Sequence, residues 1–338
     1  MRNKIVMVVL SVALVVSLVL VGCAKPAPAQ KIRTIITCPM ASTCNEARGL
    51  KILSDKLETD PRTKDRLDVM FYDNGMLYNH EDGQYAVSSG AAQITLSGPW
   101  FLELFDPEWR VLTAPVIIQD LDHAKRIVKT PAWQELAAKT AKKGIIVADW
   151  YIDAGDWVLY ARHPINDIED IKGETFRYSG GVVFEKTLKA LGLSPVPLPV
   201  SDVVTALETG MIDGLTGDMV GSSDYYDLYH YCPHCLYYRI GGQAMCFIFS
   251  ATWWNSLGPE LRSDVQAVTD EASQAAFEDL EVVKKEMRDK WTSDPGCTLV
   301  FPTDEQKAKW DAILMSVVDE TCGDIDPDLL AAIEDTKV

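Results

Sequence analysis

This chain of 338 residues lacks the short motifs that mark the common enzyme families. It has no HExxH, GxSxG or P-loop motif and no dinucleotide-binding glycine fingerprint. Histidine is scarce too, and its five occurrences show no metal-ligand spacing except near residues 230–235. We therefore expect a protein that binds a partner without catalysis and needs no cofactor of its own.

Positive charge is also in short supply. Lys and Arg number 32 against 49 Asp and Glu, which gives a formal net charge of −17 at pH 7. A field of this sign repels polyanions, so we expect no nucleic-acid partner. It repels small anions as well, so an anionic ligand would need a buried cation at its site.

Long apolar runs are absent after residue 22, and the single run before it is N-terminal. A basic start precedes the apolar residues 5–20, and Gly22 and Cys23 end the run. This is the pattern of a bacterial lipoprotein, with residues 1–22 as signal peptide and the thiol of Cys23 acylated. Residues 23–30, rich in Pro and Ala, would tether an extracytoplasmic domain to the bacterial membrane. The alternative is an uncleaved membrane helix.

Seven further cysteines follow Cys23, which in an oxidising compartment suggests disulfide bonds. Cys246 lies in an apolar run and is expected to be the buried odd thiol. Paired in chain order, the candidate disulfides join Cys38 with Cys44, Cys232 with Cys235, and Cys297 with Cys322.

Residues Cys232 to Cys235 form a CxxC motif. Such a motif can have a functional role instead of forming a structural disulfide. It could be a thiol-disulfide redox centre, or a metal site together with His230. A redox CxxC opens a helix after a strand, whereas this one follows a tyrosine-rich stretch. We favour a structural disulfide or turn and keep a secreted redox lipoprotein as the alternative function. A purely structural surface lipoprotein is a third possibility.

Short apolar runs alternate with helical patterns, which predicts an α/β architecture. A hydrophobic content of 47% and nine Trp suit a packed globule long enough for two domains. Ser201 is predicted to cap a helix that ends at Gly210. A longer helical pattern over residues 260–291 would bridge two lobes. The other predicted elements are strands 32–37, 67–72, 92–96, 145–148, 175–178 and 246–249 and helices 44–57, 124–129, 133–142 and 183–191.

Three ordered stretches carry a family signature. They are residues 168–177 (IEDIKGETFR), 188–199 (LKALGLSPVPLP) and 202–214 (DVVTALETGMIDG). Together they resemble the solute-binding proteins of tripartite ATP-independent periplasmic (TRAP) transporters, DctP type, and weaker similarity covers nearly the whole mature chain. The resemblance implies a periplasmic-binding-protein-like fold, in which two lobes close on a small solute in the cleft between them. It also implies delivery of that solute to the membrane subunits of the transporter.

The resemblance further implies how the chain divides between the lobes. Lobe 1 would comprise residues 31–155 and about 243–280. Lobe 2 would comprise residues 156–242 and about 281–338. The long helix would then cross from one lobe to the other.

Arg177 is the residue that the resemblance places at the centre of ligand recognition. In the family an Arg at this position meets the ligand carboxylate, and a planar guanidinium suits that role through two parallel hydrogen bonds. Many family members carry a second Arg, but Asp156 and Trp157 stand in its place here. One Arg predicts a monocarboxylate, with aromatic, 2-oxo and 2-hydroxy acids as the candidates.

The remaining predicted site residues are aromatic or follow the Asp-Gly turn at 213–214. Trp100, Trp150 and Trp157 would form an apolar or stacking wall. Thr216 and Asp218 replace residues of the family's polar clamp. Asp218 could hold a ligand amine or hydroxyl, or a cation that bridges to the carboxylate, but we favour a solvated loop position for it.

Overall fold

The structure, a computed structural model, describes residues 30–338 except 43, 116, 120, 151–156 and 242–244. The predicted signal peptide and the predicted lipidation residue Cys23 lie outside the described residues. Within the described ranges, no helix combines the length and the apolar character needed to cross a bilayer.

The elements alternate along the chain as an α/β architecture requires. The strands are β1 Ile32–Thr37, β2 Leu67–Tyr72, β3 Ile94–Ser97, β4 Ile145–Trp150, β5 Trp157–Ala161, β6 Thr175–Tyr178, β7 Ser194–Pro197, β8 Gly214–Asp218, β9 His234–Leu236, β10 Cys246–Ser250 and β11 Thr298–Val300. The α-helices are α1 Asn45–Thr59, α2 His80–Ser89, α3 Pro99–Leu102, α4 Leu121–Ile127, α5 Pro131–Ala141, α6 Val182–Ala190, α7 Val203–Thr209, α8 Met219–Tyr225, α9 Leu228–Tyr231, α10 Ala251–Ser256, α11 Gly258–Ser293, α12 Asp304–Cys322 and α13 Pro327–Asp335. Three 3₁₀ turns cover Pro107–Leu112, Ile168–Ile171 and Val200–Asp202.

Two separate sheets define two lobes. The sheet of lobe 1 has the order β2-β1-β3-β10-β4, and β10 runs antiparallel to both of its neighbours. The sheet of lobe 2 has the order β11-β9-β5-β8-β6-β7. The chain passes between the sheets after β4, between β9 and β10, and through α11. The predicted two-lobed α/β fold is confirmed.

Helix α11 connects the two lobes mechanically. It has 36 residues and therefore spans about 54 Å at 1.5 Å per residue. Towards lobe 1 it packs on α1, where Arg48 forms an ion pair with Asp279. Towards lobe 2, the Trp291 ring lies 5.5 Å from that of Tyr160 in β5, and its Nε1 donates to Ser223 Oγ at 2.9 Å. The long bridging helix predicted from the sequence is present.

The C-terminal helices contact both lobes. Helix α12 lies against α6 of lobe 2, where Lys186 and Glu320 form an ion pair of 2.6 Å. Helix α13 lies against α5 of lobe 1, and the Ile333 carbonyl is 2.9 Å from Nε2 of the buried His123. The sequence had assigned all residues after about 281 to lobe 2. We propose instead that the last helix belongs to lobe 1.

The predicted cap at Ser201 is wrong. A 3₁₀ turn over Val200–Asp202 precedes α7, and the Ser201 hydroxyl donates to the Asp202 carboxylate at 2.9 Å. Ser201 therefore lies inside the 3₁₀ turn, and the residue that directly precedes α7 is Asp202, whose side chain forms no capping hydrogen bond. The predicted end at Gly210 is correct, since this residue adopts the left-handed conformation with φ 70°.

The predicted disulfide between Cys297 and Cys322 is not formed, and both residues are thiols. Cys297 directly precedes β11 of lobe 2, whereas Cys322 is the last residue of the 19-residue helix α12. That helix spans about 29 Å, and Cys322 is buried in the same cluster as Trp109 of lobe 1. The bridges between Cys38 and Cys44 and between Cys232 and Cys235 stay predictions.

Candidate functional site

Two adjacent cavities lie where the loops of lobe 1 face the strand ends of lobe 2. The outer cavity has a volume of about 660 Å³ and is lined by Asn79 and His80 from lobe 1 and by Ser179 and Tyr225 from lobe 2. The inner pocket, of about 20 Å³, lies deeper in the cleft. Arg177 lines both. The outer volume suits a small solute, and the inner one suits a single water-sized group.

Arg177 is a buried cation that forms no ion pair with an acid among the described residues. It is the third residue of β6 and is only 2% exposed. Among the described residues its polar partner is the Leu198 carbonyl, which accepts from Nε at 3.0 Å and from Nη2 at 2.9 Å. The Tyr226 ring lies 5.7 Å from the guanidinium carbon. Burying a charge that lacks a counter-charge is costly, so this site favours an anion.

The Leu198 carbonyl also fixes which edge of the guanidinium is available. It occupies the edge formed by Nε and Nη2, and this leaves the Nη1 and Nη2 end for a ligand. Pro197 and Pro199 flank Leu198 and restrict its backbone. The chain therefore holds Arg177 in a preset orientation before any ligand arrives.

An aromatic cluster crosses the cleft beside Arg177. Trp100 of lobe 1 and Trp157 of lobe 2 meet edge to face, with ring centroids 4.7 Å apart at 86°. Phe184 of α6 lies 4.3 Å from Trp157. Both tryptophans line the inner pocket, as a stacking wall would require. Trp150, predicted for the same wall, ends β4, and its side chain lies outside the described part of the structure.

Thr216 and Asp218 have structural partners that the sequence did not reveal. Thr216 is fully buried in β8, and its hydroxyl lies 3.5 Å from the Arg177 carbonyl, so it supports the strand that carries Arg177. Asp218 lines the inner pocket but is only 7% exposed, so the favoured prediction of a solvated loop position is wrong. Its Oδ1 accepts from the Gly221 amide, and its Oδ2 lies 3.4 Å from Ser222 Oγ. The Asp218 side chain thereby caps the N-terminus of α8.

His80 is a pocket residue that the sequence analysis missed. It opens α2, lines both cavities and stacks on Phe101 with centroids 5.1 Å apart at 9°. Burial, and secondarily the charge of Arg177, lowers the pKa of His80 to about 3. Its imidazole is therefore neutral at physiological pH and offers one donor and one acceptor. A single histidine outside any motif gave no signal for this placement.

Glu103 is a second missed residue, and it joins the lobes. It follows α3 of lobe 1, and its carboxyl group lies near the Val182 amide, at the start of α6 of lobe 2, which opposes protonation of that group. A Cβ on Gly181 would lie 2.4 Å from its Oε1, so the contact requires glycine there. Burial raises the pKa of Glu103 to about 7, although the Val182 amide and Arg110 oppose the shift.

We expect ligand affinity to rise as the pH falls from 8 to 6. The pKa of the Glu103 carboxyl group is about 7 when the cleft is closed and the group is buried, and 4.5 is its usual value in water. The carboxylate therefore binds a proton more tightly in the closed form than in an open form that hydrates it. The closed form therefore gains stability as the pH falls through 7, and the gain is complete below 4.5. Affinity should increase roughly tenfold over this interval. Calorimetry would measure it, and Glu103→Gln should flatten the profile. A flat profile in the parent protein would contradict this role.

The CxxC does not have the character of a redox centre. Cys232 ends α9 and is buried, and this burial raises the pKa of its thiol to about 12, with Asp213 adding to the shift and Arg162 opposing it. Redox cysteines need a lowered pKa, so the redox alternative loses its physical basis. In the part of the chain that is described, no group of three or more His, Cys, Asp or Glu is placed to hold a metal ion.

Comparison with known proteins gives a consistent match. The family described as bacterial extracellular solute-binding protein, family 7 (DctP), matches residues 41–323. The C4-dicarboxylate-binding periplasmic protein DctP of Rhodobacter capsulatus is 26% identical over 281 residues, which is 80% of this chain and 81% of that protein.

Solved structures show the same fold. A TRAP periplasmic solute-binding protein from Shewanella oneidensis with bound succinate superposes with a TM-score of 0.82 at 19% identity, over 91% of this chain and 99% of that one. One from Bordetella, with density assigned to pantoate, gives a TM-score of 0.81 at 19% identity, over 91% and 100%.

Proposed function

Because the chain belongs to the DctP family of extracytoplasmic solute-binding proteins, we propose that it captures a small organic acid and delivers it to the membrane subunits of a TRAP transporter. The family and fold are those of transport proteins, not enzymes. The observation that carries the proposal is Arg177, a guanidinium 2% exposed, without an acidic partner among the described residues, at the wall of a solute-sized cavity.

The finer proposal is a monocarboxylate. Of the described residues that line the two cavities, Arg177 is the only Lys or Arg, and His80 is neutral. The end of the guanidinium left open by Leu198 accommodates one carboxylate. Trp100, Trp157 and Phe101 supply apolar walls for the rest of the ligand. Asp218 is committed to capping α8, and we propose that no bridging cation is needed.

Thermal unfolding with a panel of acids tests this function. The panel contains succinate, benzoate, pyruvate, lactate and phenylpyruvate. A ligand at about 100 times its Kd should stabilise the protein by about 2.7 kcal/mol, which is a shift of several degrees. We expect the largest shift with a monocarboxylate. A larger shift with succinate would refute the finer proposal, and the absence of binding by any organic acid would refute the function.

We also propose that the protein is anchored through a lipid on Cys23. The support is the tetrad that ends at Cys23 after an apolar run. Cys23→Ser should move the protein from the membrane fraction to the soluble extracytoplasmic fraction, because acyl chains supply the anchor. Retention of this variant in the membrane would favour the uncleaved helix.

A further inference from the structure

We propose that Trp100 and Trp157 jointly recognise an oxygen at carbon 2 of the ligand through their indole N–H groups, so that the solute is a 2-oxo or 2-hydroxy monocarboxylate. This inference rests on the proposed function. It assigns a ligand group to the inner pocket, whereas the proposed function assigned only the position of the carboxylate, at Arg177. The carboxylate would lie against Arg177, and the oxygen beside it would enter the inner pocket.

The two indole N–H groups are buried donors without acceptors. Trp100 is 4% exposed and Trp157 3%, and among the described residues neither Nε1 has a hydrogen-bond partner. Buried indoles normally find one. Trp109 donates to Thr140 Oγ1 at 2.8 Å and Trp291 to Ser223 Oγ at 2.9 Å. Trp253 also lacks a partner for its Nε1, but it lines neither cavity.

The inner pocket has the size and the surroundings for one oxygen atom. Its volume of about 20 Å³ suits one water-sized group. Arg177, Trp100 and Trp157 all line it, so a group inside it lies next to the carboxylate site. Indole N–H and guanidinium groups can only donate. Asp218 also lines the pocket, but its Oδ1 accepts from the Gly221 amide and its Oδ2 lies 3.4 Å from Ser222 Oγ, so its carboxylate is engaged at the start of α8. A group placed among the three donors must therefore accept, which a keto or a hydroxyl oxygen does and an ammonium group cannot do.

The two donors come from opposite lobes, so an oxygen bonded to both links the lobes. The ring of Trp100 is fixed over Gly98, where a Cβ would lie 2.5 Å from its six-membered ring. Trp157 begins β5 and pairs with Asp218 of β8. Each ring is thus held by its own lobe, and both N–H groups are satisfied together only when the cleft is closed.

Matched acids that differ only at carbon 2 test the proposal. One set is pyruvate, lactate, alanine and propionate, and the other is phenylpyruvate, phenyllactate, phenylalanine and hydrocinnamate. In calorimetry we expect the oxo or hydroxy form to bind roughly ten- to a hundredfold more tightly than the unsubstituted acid. The amino form should bind most weakly. Equal affinity of the oxygenated and unsubstituted acids would overturn the indole proposal while carboxylate binding stands. No binding by any of the eight would overturn both.

Removal of the donors separates recognition from packing. Trp100→Phe and Trp157→Phe keep an aromatic ring and lose the N–H. Each should reduce the preference for the oxygenated acid over its unsubstituted partner by roughly tenfold. Trp291→Phe is the control, because its Nε1 bonds Ser223 away from the pocket, and it should leave the preference unchanged. If the two pocket variants weaken both acids equally, their role is packing alone and the proposal is wrong.

Discussion

Replacing Arg177 by alanine should weaken binding of the carboxylate ligand by roughly thirty- to several-thousand-fold. The guanidinium is 2% exposed and forms no ion pair with a carboxylate among the described residues, so we expect the ligand to supply its counter-charge. Without it, the carboxylate would be desolvated in a protein whose net charge of −17 already repels anions. Calorimetry with the best acid of the panel would measure the loss.

Two further variants define what Arg177 contributes. Arg177→Lys should also bind the ligand weakly, because an ammonium group cannot form two parallel hydrogen bonds with the carboxylate. It also cannot reproduce the two hydrogen bonds that Nε and Nη2 of Arg177 donate to the Leu198 carbonyl. Arg33→Ala removes the same charge from an exposed position in β1 and should leave affinity unchanged. Binding by Arg177→Ala within threefold of the parent would refute the carboxylate site.

Replacing Gly181 by alanine should block closure of the cleft and weaken ligand binding by roughly five- to 150-fold. A Cβ at this position would lie 2.4 Å from Glu103 Oε1 and 2.9 Å from Trp100 Cβ. Both neighbours belong to lobe 1 while Gly181 belongs to lobe 2. The added methyl group therefore obstructs the closed form and leaves an open form unhindered.

The adjacent glycine provides a matched control for this variant. Gly180 also has a positive φ, of 139°, but a Cβ there would meet nothing within 4 Å. Gly180→Ala carries backbone strain without the obstruction and should bind more tightly than Gly181→Ala. Small-angle scattering should show ligand-induced compaction for the parent and for Gly180→Ala only. If the two variants behave alike, the contact with lobe 1 does not govern closure.

Local patterns in the sequence predicted the fold well. β1, β2 and β6 have the bounds that the sequence predicted, because each is a short segment rich in the β-branched and aromatic residues that favour strands. The long bridging helix followed from a periodicity unbroken over 260–291. The cap at Ser201 was misjudged because the chain forms a 3₁₀ turn over Val200–Asp202, which moves the start of α7 to Val203.

Contacts between the lobes could not be predicted in this way. Glu103 meets Val182 although 78 residues separate them, and neither lies in a motif. His80 and Arg177 line the same cavities only because the two lobes pack together. The same physical limit explains the wrong pairing of Cys297 with Cys322, since their separation is decided by the intervening helix α12. The family signature located Arg177, but it carried no information on the residues that surround it.

The pairing of Trp100 with Trp157 gives the protein a built-in optical signal. Indole emission depends on the polarity around the ring, and these two rings, 4.7 Å apart, are shielded from water only while the lobes stay together. Separation of the lobes would hydrate both rings, move their fluorescence to longer wavelength and abolish the exciton coupling between two nearly perpendicular chromophores. Capture and release of the solute can thus be followed in real time in the unlabelled protein.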